Sequence, residues 1–433
     1  MKIVVIGCTH AGTTLATTIK GINRNIDITI VEKNNNISFL SCGIAIGAQN
    51  HIPMSRMFYS SVQVLEKLGV KLYMQHEAIQ VDYNQKTVSI LSIVNQTHLE
   101  IQYDVLVIAS GSLPITPSFY NPNVENIMLC KNFENGRTIQ NYVNRFQNQN
   151  KIVAIVGGGY IGVELCEAFS TNNFRVHLIE GDDRIMKRYF CEDITQIAEN
   201  KLTDNNCVLH MNQFVTSVIL TDLQLLIQTT KQQLTVDAIV LCIGFKPNTS
   251  LFIKSAHSQN IILDCLNESI VVDDFSRTSI PDVYAIGDCA CCSFFTDESK
   301  SITLATNAIR QAFVAAADIC SVVIPQQKVQ GTSCTRVFGA SFASTGITIS
   351  ESVMRFGSGK QYIYKTEESI IQFVCLENNL QIVGVQIYSD NAGELIQVAS
   401  ILVHFKSSLK DIIMVDVGEF NLLQKAANTF IFE

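Results

Sequence analysis

Residues 151–162 read Lys151-Ile152-Val153-Ala154-Ile155-Val156-Gly157-Gly158-Gly159-Tyr160-Ile161-Gly162. The unbroken apolar run before the glycines has the character of a strand buried on both faces. Gly157, Gly159 and Gly162 then fall at a telling spacing: the chain turns tightly, its backbone can approach a pyrophosphate, and the next helix packs closely. Residues 163–170 continue that helix, 175–179 form the next strand, and this strand ends at Glu180. A carboxylate there accepts hydrogen bonds from ribose hydroxyls and repels a 2'-phosphate, so the pattern predicts a dinucleotide site favouring NADH over NADPH. Arg184 lies close enough in sequence to offset part of that preference.

A second copy opens the chain. Strand 2–6 enters Gly7-Cys8-Thr9-His10-Ala11-Gly12, a helix follows, and strand 27–31 leads to Glu32. Thr9 stands where the middle glycine is expected, but the order of strand, turn, helix, strand and acid is the same. Two such sites in one chain imply two different dinucleotides, a tightly held flavin and a diffusible nicotinamide. The closing strands also repeat: Tyr103-Asp104-Val105-Leu106-Val107-Ile108-Ala109-Ser110-Gly111-Ser112 matches the segment from Val236-Asp237 through Gly244-Phe245-Lys246-Pro247-Asn248. Both end in small residues, among them Ser110, Gly111, Ser112 and Gly244, where backbone must pass close to a cofactor. A further strand in Pro281-Asp282-Val283-Tyr284-Ala285-Ile286-Gly287-Asp288 delivers Asp288 at a helix start, placed to bond a ribityl hydroxyl of a flavin.

A chain of 433 residues exceeds what one core organises. The expected architecture is α/β: two Rossmann-like dinucleotide-binding domains, for FAD and NAD, plus a C-terminal α+β dimerisation domain. The expected boundaries are a first FAD-binding piece at 1–120, an NAD(H)-binding domain at 121–247, a second FAD-binding piece at 248–325 and a dimerisation domain at 326–433. Strands at 339–348, 360–365, 369–377 and 381–388, then helices at 392–405 and 409–415, carry the last assignment. A net charge of -8 and the lack of a basic cluster argue against nucleic acid. No apolar stretch suits export or a membrane span, so a cytoplasmic protein without a membrane partner is expected. In that setting the 14 cysteines are read as free thiols, and the cluster Cys289, Cys291, Cys292 as no metal site.

One cysteine stands apart. Cys42 lies in Ile37-Ser38-Phe39-Leu40-Ser41-Cys42-Gly43-Ile44, with no second cysteine four or five residues away. A helix start at that point would lower its pKa. A lone cysteine cannot run a dithiol cycle, but it can alternate between thiolate and sulfenic acid and so reduce peroxide. His10, inside the first glycine turn, is placed to donate a proton to departing oxygen or to steady the cysteine anion. Tyr160 follows the nicotinamide glycines and can shield the flavin until NADH enters.

These segments resemble the NADH oxidase and NADH peroxidase branch of the class-I pyridine nucleotide-disulphide oxidoreductases. The resemblance covers nearly the whole chain. It rests on Gly7-Cys8-Thr9-His10-Ala11-Gly12, Ser38-Phe39-Leu40-Ser41-Cys42-Gly43, residues 157–164, Gly244-Phe245-Lys246-Pro247-Asn248-Thr249, Leu304-Ala305-Thr306-Asn307-Ala308 and Phe342-Ala343-Ser344-Thr345-Gly346. It implies that Cys42 is the redox-active cysteine and His10 the active-site histidine. It further implies FAD contacts from Thr9, His10, Ala11, Gly12, Glu32, Cys42, Ser110, Ser112, Lys131, Asp288, Leu304, Ala305 and Thr306. Ile161, Glu180, Tyr189 and Gly244 would line the NADH site, and a homodimer or homotetramer would form. The usual Ala-Thr-Gly phrase is Ala109-Ser110-Gly111 here, which keeps a hydroxyl.

The expected activity is therefore an NADH oxidase that reduces O2 to water through FAD and Cys42. The alternative is an NADH peroxidase acting on H2O2, and less so a CoA-disulfide reductase. A flavin-bound sensor would have no use for the second dinucleotide turn.

Overall fold

The computed structural model describes residues 1–221, 224–253, 261–296, 299–324, 328–415 and 422–432. They fall into two compact units. The first comprises Met1–Leu40, Ser55–Leu113 and Phe245–Val329; the second comprises Ser41–Met54, Pro114–Gly244 and Gln330–Glu433.

The first unit is built on a parallel sheet in the order Val283–Ala285, Val105–Ile108, Lys2–Ile6, Asp27–Glu32, Val70–Met74. Its central strand is apolar from Ile3 to Ile6 because both faces are covered there. Ile3 and Val5 face the helices His10–Ile22 and Ala305–Ile319, in a core shared with Leu15, Ile19, Ala312 and Ala316. Val4 and Ile6 face the opposite side, packed with Val81, Val88 and Ile90 of an antiparallel sheet formed by His76–Asp82, Thr87–Ser92 and His98–Gln102. The alanines on Ala305–Ile319 let that helix lie close against His10–Ile22.

The second unit repeats the plan. Its parallel sheet runs Cys207–His210, Arg175–Ile179, Ile152–Val156, Ala238–Leu241, Ile127–Leu129, with a three-stranded antiparallel sheet beside it in the core. It also holds a five-stranded antiparallel sheet ordered Ser333–Val337, Ala340–Gly346, Ile382–Tyr388, Ile370–Cys375, Lys360–Lys365. The expected strands and helices of this C-terminal part form, and three unexpected elements join them: the strand Ser333–Val337 and the helices Ile349–Phe356 and Leu422–Phe432. The strand is joined to its neighbour by Phe338 and Gly339, both at positive φ (45° and 80°). That is the backbone of a type I' hairpin turn, usually signalled by Asn-Gly, and Phe338 hides it. Val353, Met354, Val398, Ile401 and Phe405 stand exposed on this part of the unit. No described helix is long and apolar enough to cross a membrane.

The closing strands are anchored alike. Asp104 Oδ2 accepts from Lys2 N at 2.6 Å, and Asp237 Oδ2 accepts from Ile152 N at 2.8 Å. Asp237 also meets Lys151 Nζ at 2.9 Å. Burial opposes ionisation of Asp237, but the bonds from Ile152, Lys151 and Gln224 outweigh it and hold the carboxyl below its usual range. Its stabilisation is therefore complete above the unfolded carboxyl pKa, about 3.9, and is lost as pH falls through the lower folded value. Asp237→Asn should cost about 1–3 kcal/mol at neutral pH. In urea titrations the gap from the parent protein should close on acidification; a gap unchanged at low pH would contradict the ionic anchor.

Candidate functional site

Each glycine turn is shaped by the same two clashes. A Cβ on Gly7 (φ +102°) would lie 2.3 Å from Ala109 O, and one on Gly157 (φ +107°) 2.4 Å from Cys242 O. A Cβ on Gly12 or Gly162 would sit 2.0 or 1.9 Å from the carbonyl oxygen of Gly7 or Gly157. Only glycine lets helix and strand approach this closely. The helices that follow, His10–Ile22 and Tyr160–Ser170, start without a side-chain cap from Thr9 or Gly159. Thr9 is exposed, and a Cβ on Gly159 would meet nothing within 4 Å. Two uncapped helix N-termini facing open space suit a pyrophosphate.

The acid at the end of each second strand also repeats. Glu32 Oε2 accepts from Cys8 N at 2.8 Å, while Oε1 takes Asn34 N at 2.8 Å and Asn34 Nδ2 at 2.6 Å. Glu180 Oε2 accepts from Gly158 N at 2.5 Å and Oε1 from Asp182 N at 2.8 Å. A carboxylate has about four acceptor positions, so each acid retains capacity for a ribose hydroxyl. Burial pushes the Glu32 pKa up, against the bonds from Asn34 and Cys8 that favour its charge.

The first unit gathers Gly7, Thr9, His10, Ala11, Gly12, Glu32, Ser110, Gly111, Ser112, Asp288, Leu304, Ala305 and Thr306. Ser112 Oγ donates to Asp288 Oδ2 at 2.7 Å, and Gly287 N donates to Gln311 Oε1 at 2.7 Å, which steadies the short turn bearing Asp288. Ser110 Oγ donates to Asn248 O at 2.7 Å, a task the hydroxyl of its phrase performs here. Leu304 begins the Ala305–Ile319 helix, again without a side-chain cap. His10 is half-buried and stacks on Tyr59, with ring centroids 5.3 Å apart and planes nearly parallel at 4°. Tyr59 belongs to no sequence motif; burial, opposed by bonds to Thr13 and Ser38, pushes its pKa up to about 12. Cys8 is buried and its pKa is pushed up to about 12, chiefly by desolvation, so it stays a thiol. Ser38 holds positive φ (58°) while its N–H reaches Cys8 O at 2.9 Å and its Oγ meets Thr13 Oγ1 at 2.8 Å. A non-glycine residue in that region marks stored strain, here four residues before Cys42.

The second unit holds Cys42, Lys131, Gly157, Gly159, Tyr160, Ile161, Gly162, Glu180, Tyr189 and Gly244. Lys131 precedes Asn132, the cap of the Phe133–Phe146 helix. Tyr160 stacks on Tyr189 at 4.2 Å, and its hydroxyl lies 2.8 Å from Ser333 Oγ and 3.3 Å from Ser344 Oγ. Cys291 and Cys292 lie in the first unit, both buried, with Cys291 Sγ 2.7 Å from Ser269 Oγ; they are core thiols.

Cys42 corrects an expectation. It occupies a 3-10 turn, Ser41–Gly43, ahead of a six-residue helix, Ile44–Gln49. The residue is exposed, yet crowding around its sulfur raises the thiol pKa, and Glu164 raises it further. A short helix gives a thiolate only about 0.3–1 kcal/mol, which desolvation and a carboxylate overcome. Glu164 was not singled out in the sequence. It comes beside the Cys42 segment because Gln49 Nε2 donates to Glu167 Oε1 at 3.0 Å and Asn172 Nδ2 to Gln49 O at 3.3 Å, which sets the two helices side by side. Burial raises the pKa of Glu164 itself, and Thr335 Oγ1 donates to it at 2.6 Å.

The model of the pyridine nucleotide-disulphide oxidoreductase family matches residues 1–312, and that of its dimerisation domain matches 340–417. An NADH oxidase of Enterococcus faecalis is 31% identical over 432 residues, covering 96% of this chain and 94% of its own. An NADH oxidase of Lactococcus lactis is 29% identical, covering 96% and 95%. The water-forming NADH oxidase from Lactobacillus brevis, solved bound to NADH, superposes with a TM-score of 0.91 at 30% identity, covering 99% and 98%.

The thiol profile of Cys42 gives a direct check. Alkylation by iodoacetamide, followed residue by residue by mass spectrometry, should show Cys42 titrating above an ordinary thiol. Glu164→Gln should move that profile to lower pH. Identical profiles would remove Glu164 from the electrostatics of Cys42.

Proposed function

The chain belongs to the pyridine nucleotide-disulphide oxidoreductases, and on that premise we propose that it is a FAD-dependent NADH oxidase reducing O2 to water. The observation that carries this reading is end-to-end similarity to proteins named NADH oxidase, joined to two acid-tied glycine turns in one chain.

The residues fit both nucleotides. In the first unit Gly7, Thr9, Ala11 and Gly12 would hold the FAD pyrophosphate at the His10–Ile22 N-terminus, Glu32 a ribose, and Asp288 a ribityl hydroxyl. Ser110, Gly111, Ser112, Leu304, Ala305 and Thr306 belong to the same proposal, as does Lys131. In the second unit Gly157, Gly159, Ile161 and Gly162 would hold the NADH pyrophosphate and Glu180 the adenosine ribose, with Tyr160, Tyr189 and Gly244 alongside. FAD would supply the two-electron carrier: through it a first NADH, O2 and one proton would give NAD+ and the H2O2 that Cys42 reduces.

Cys42 rests as a thiol, so its proton must leave as the sulfur reacts. The sulfur gives an electron pair to one oxygen of a peroxide: an S–O bond forms, the O–O bond breaks, and the departing hydroxide takes a proton to become water. Two further electrons, drawn from a second NADH, break the S–O bond; the oxygen leaves as water and the thiol returns. His10 is assigned the proton traffic of this cycle. The exposed apolar side chains near Ile401 and Phe405 are assigned to contact with a second copy of the chain, forming a homodimer.

Cys42→Ser should halt the reaction at peroxide, with H2O2 accumulating as NADH is consumed. A variant that still makes only water would remove Cys42 from peroxide reduction. His10→Gln should lower kcat about 10²-fold or more. Turnover with H2O2 under argon but none with O2 would replace the oxidase by a peroxidase.

A further inference from the structure

Behind Glu180 the chain reads Gly181-Asp182-Asp183-Arg184-Ile185-Met186-Lys187-Arg188, mixing two carboxylates with three cations. Arg184, read from sequence, is free to meet a 2'-phosphate. In the structure it is already engaged. Asp183 Oδ1 lies 3.5 Å from Arg184 Nη1 and 3.0 Å from Lys187 Nζ. Asp182 Oδ1 adds a longer contact to Lys187 Nζ at 3.8 Å. The Arg184 side chain keeps only 24% of its surface, and Glu199 lies within its electrostatic reach. Lys187, through its bond and its charge, holds the Asp183 carboxyl below the usual range.

The backbone leaves this segment little freedom. Asp182 N donates to Glu180 Oε1 at 2.8 Å, Ile185 N to Glu199 Oε1 at 3.1 Å, Met186 N to Gly158 O at 2.9 Å, and Asn212 N to Asp182 O at 2.9 Å. Met186 takes positive φ (48°) to make its bond to the glycine turn. The acids and cations are therefore held at the edge of the turn itself.

We propose that Asp183, assisted by Asp182, determines the specificity of this nucleotide site by holding Arg184 and Lys187 on its own carboxylate, so that neither of these two cations is free for a 2'-phosphate. This rests on reading the second unit's turn as the NADH site. Glu180 supplies the attraction for ribose hydroxyls, and the Asp183 clamp supplies the refusal of the phosphate. An unpaired arginine or lysine would instead make charge-assisted bonds to a 2'-phosphate carrying well over one negative charge.

The test uses the FAD-loaded full-length protein and calorimetric titration with 5'-AMP and 2',5'-ADP. The parent protein should bind 5'-AMP and take 2',5'-ADP at least about tenfold more weakly. Asp183→Asn should tighten 2',5'-ADP about tenfold while leaving 5'-AMP unchanged, and adding Asp182→Asn should tighten it further. The gain should shrink as salt is raised, because it is carried by exposed charges, a response that mere loosening of the loop would not give. If both variants bind 2',5'-ADP as weakly as the parent while 5'-AMP still binds, the clamp is refuted and the NADH site stands. A parent protein that binds neither 5'-AMP nor NADH refutes the NADH reading, and the clamp with it.

Discussion

A backbone N–H at the second position of each glycine turn ends on the carboxylate that closes the next strand: Cys8 on Glu32 and Gly158 on Glu180. Much of the architecture depends on this bond. It fixes the turn at the C-terminal edge of a parallel sheet, and the glycine turn in turn fixes how closely the helix may lie on the strand. Hydrogen bonds to a charged acceptor contribute about 1.5–3 kcal/mol each, and each acid accepts at least two from backbone. For the buried Glu32 these bonds offset part of the cost of desolvation, which still pushes its pKa up.

The same constraint sorts the chemistry. The nucleotide recognition proposed for this chain falls to groups that backbone geometry locks: glycine turns, acids and uncapped helix ends. The side chains assigned the redox chemistry sit on less regular structure. Cys42 follows a strained loop that begins at Ser38, and His10 begins its helix stacked on a loop tyrosine. In the second unit one short carboxylate segment, Glu180 to Asp183, does both jobs: part of it stiffens the turn and part of it faces outward among cations.

What could be read from sequence was what backbone sterics demand. Gly7, Gly12, Gly157 and Gly162 were legible because any side chain there collides with a carbonyl. Asp104 and Asp237 were legible as a repeat because they cap the same strand in both halves. The strand Ser333–Val337 was not, because Phe338 adopts a turn conformation that its residue type does not announce. Glu164 was not, because it becomes relevant only when Thr335 and the Cys42 segment are brought to it from distant parts of the chain. The reading of Cys42 as a helix-start thiolate failed for a related reason: a local dipole can be inferred from sequence, whereas desolvation and a tertiary carboxylate cannot.

Whether electrons from NADH carry O2 all the way to water on this chain is decided by NADH loss and O2 uptake measured together on the purified, FAD-loaded protein. Four electrons are needed for each O2 and each NADH brings two, so two NADH should be consumed per O2, with no peroxide left when catalase is added. One NADH per O2, with O2 returning on addition of catalase, would contradict reduction to water.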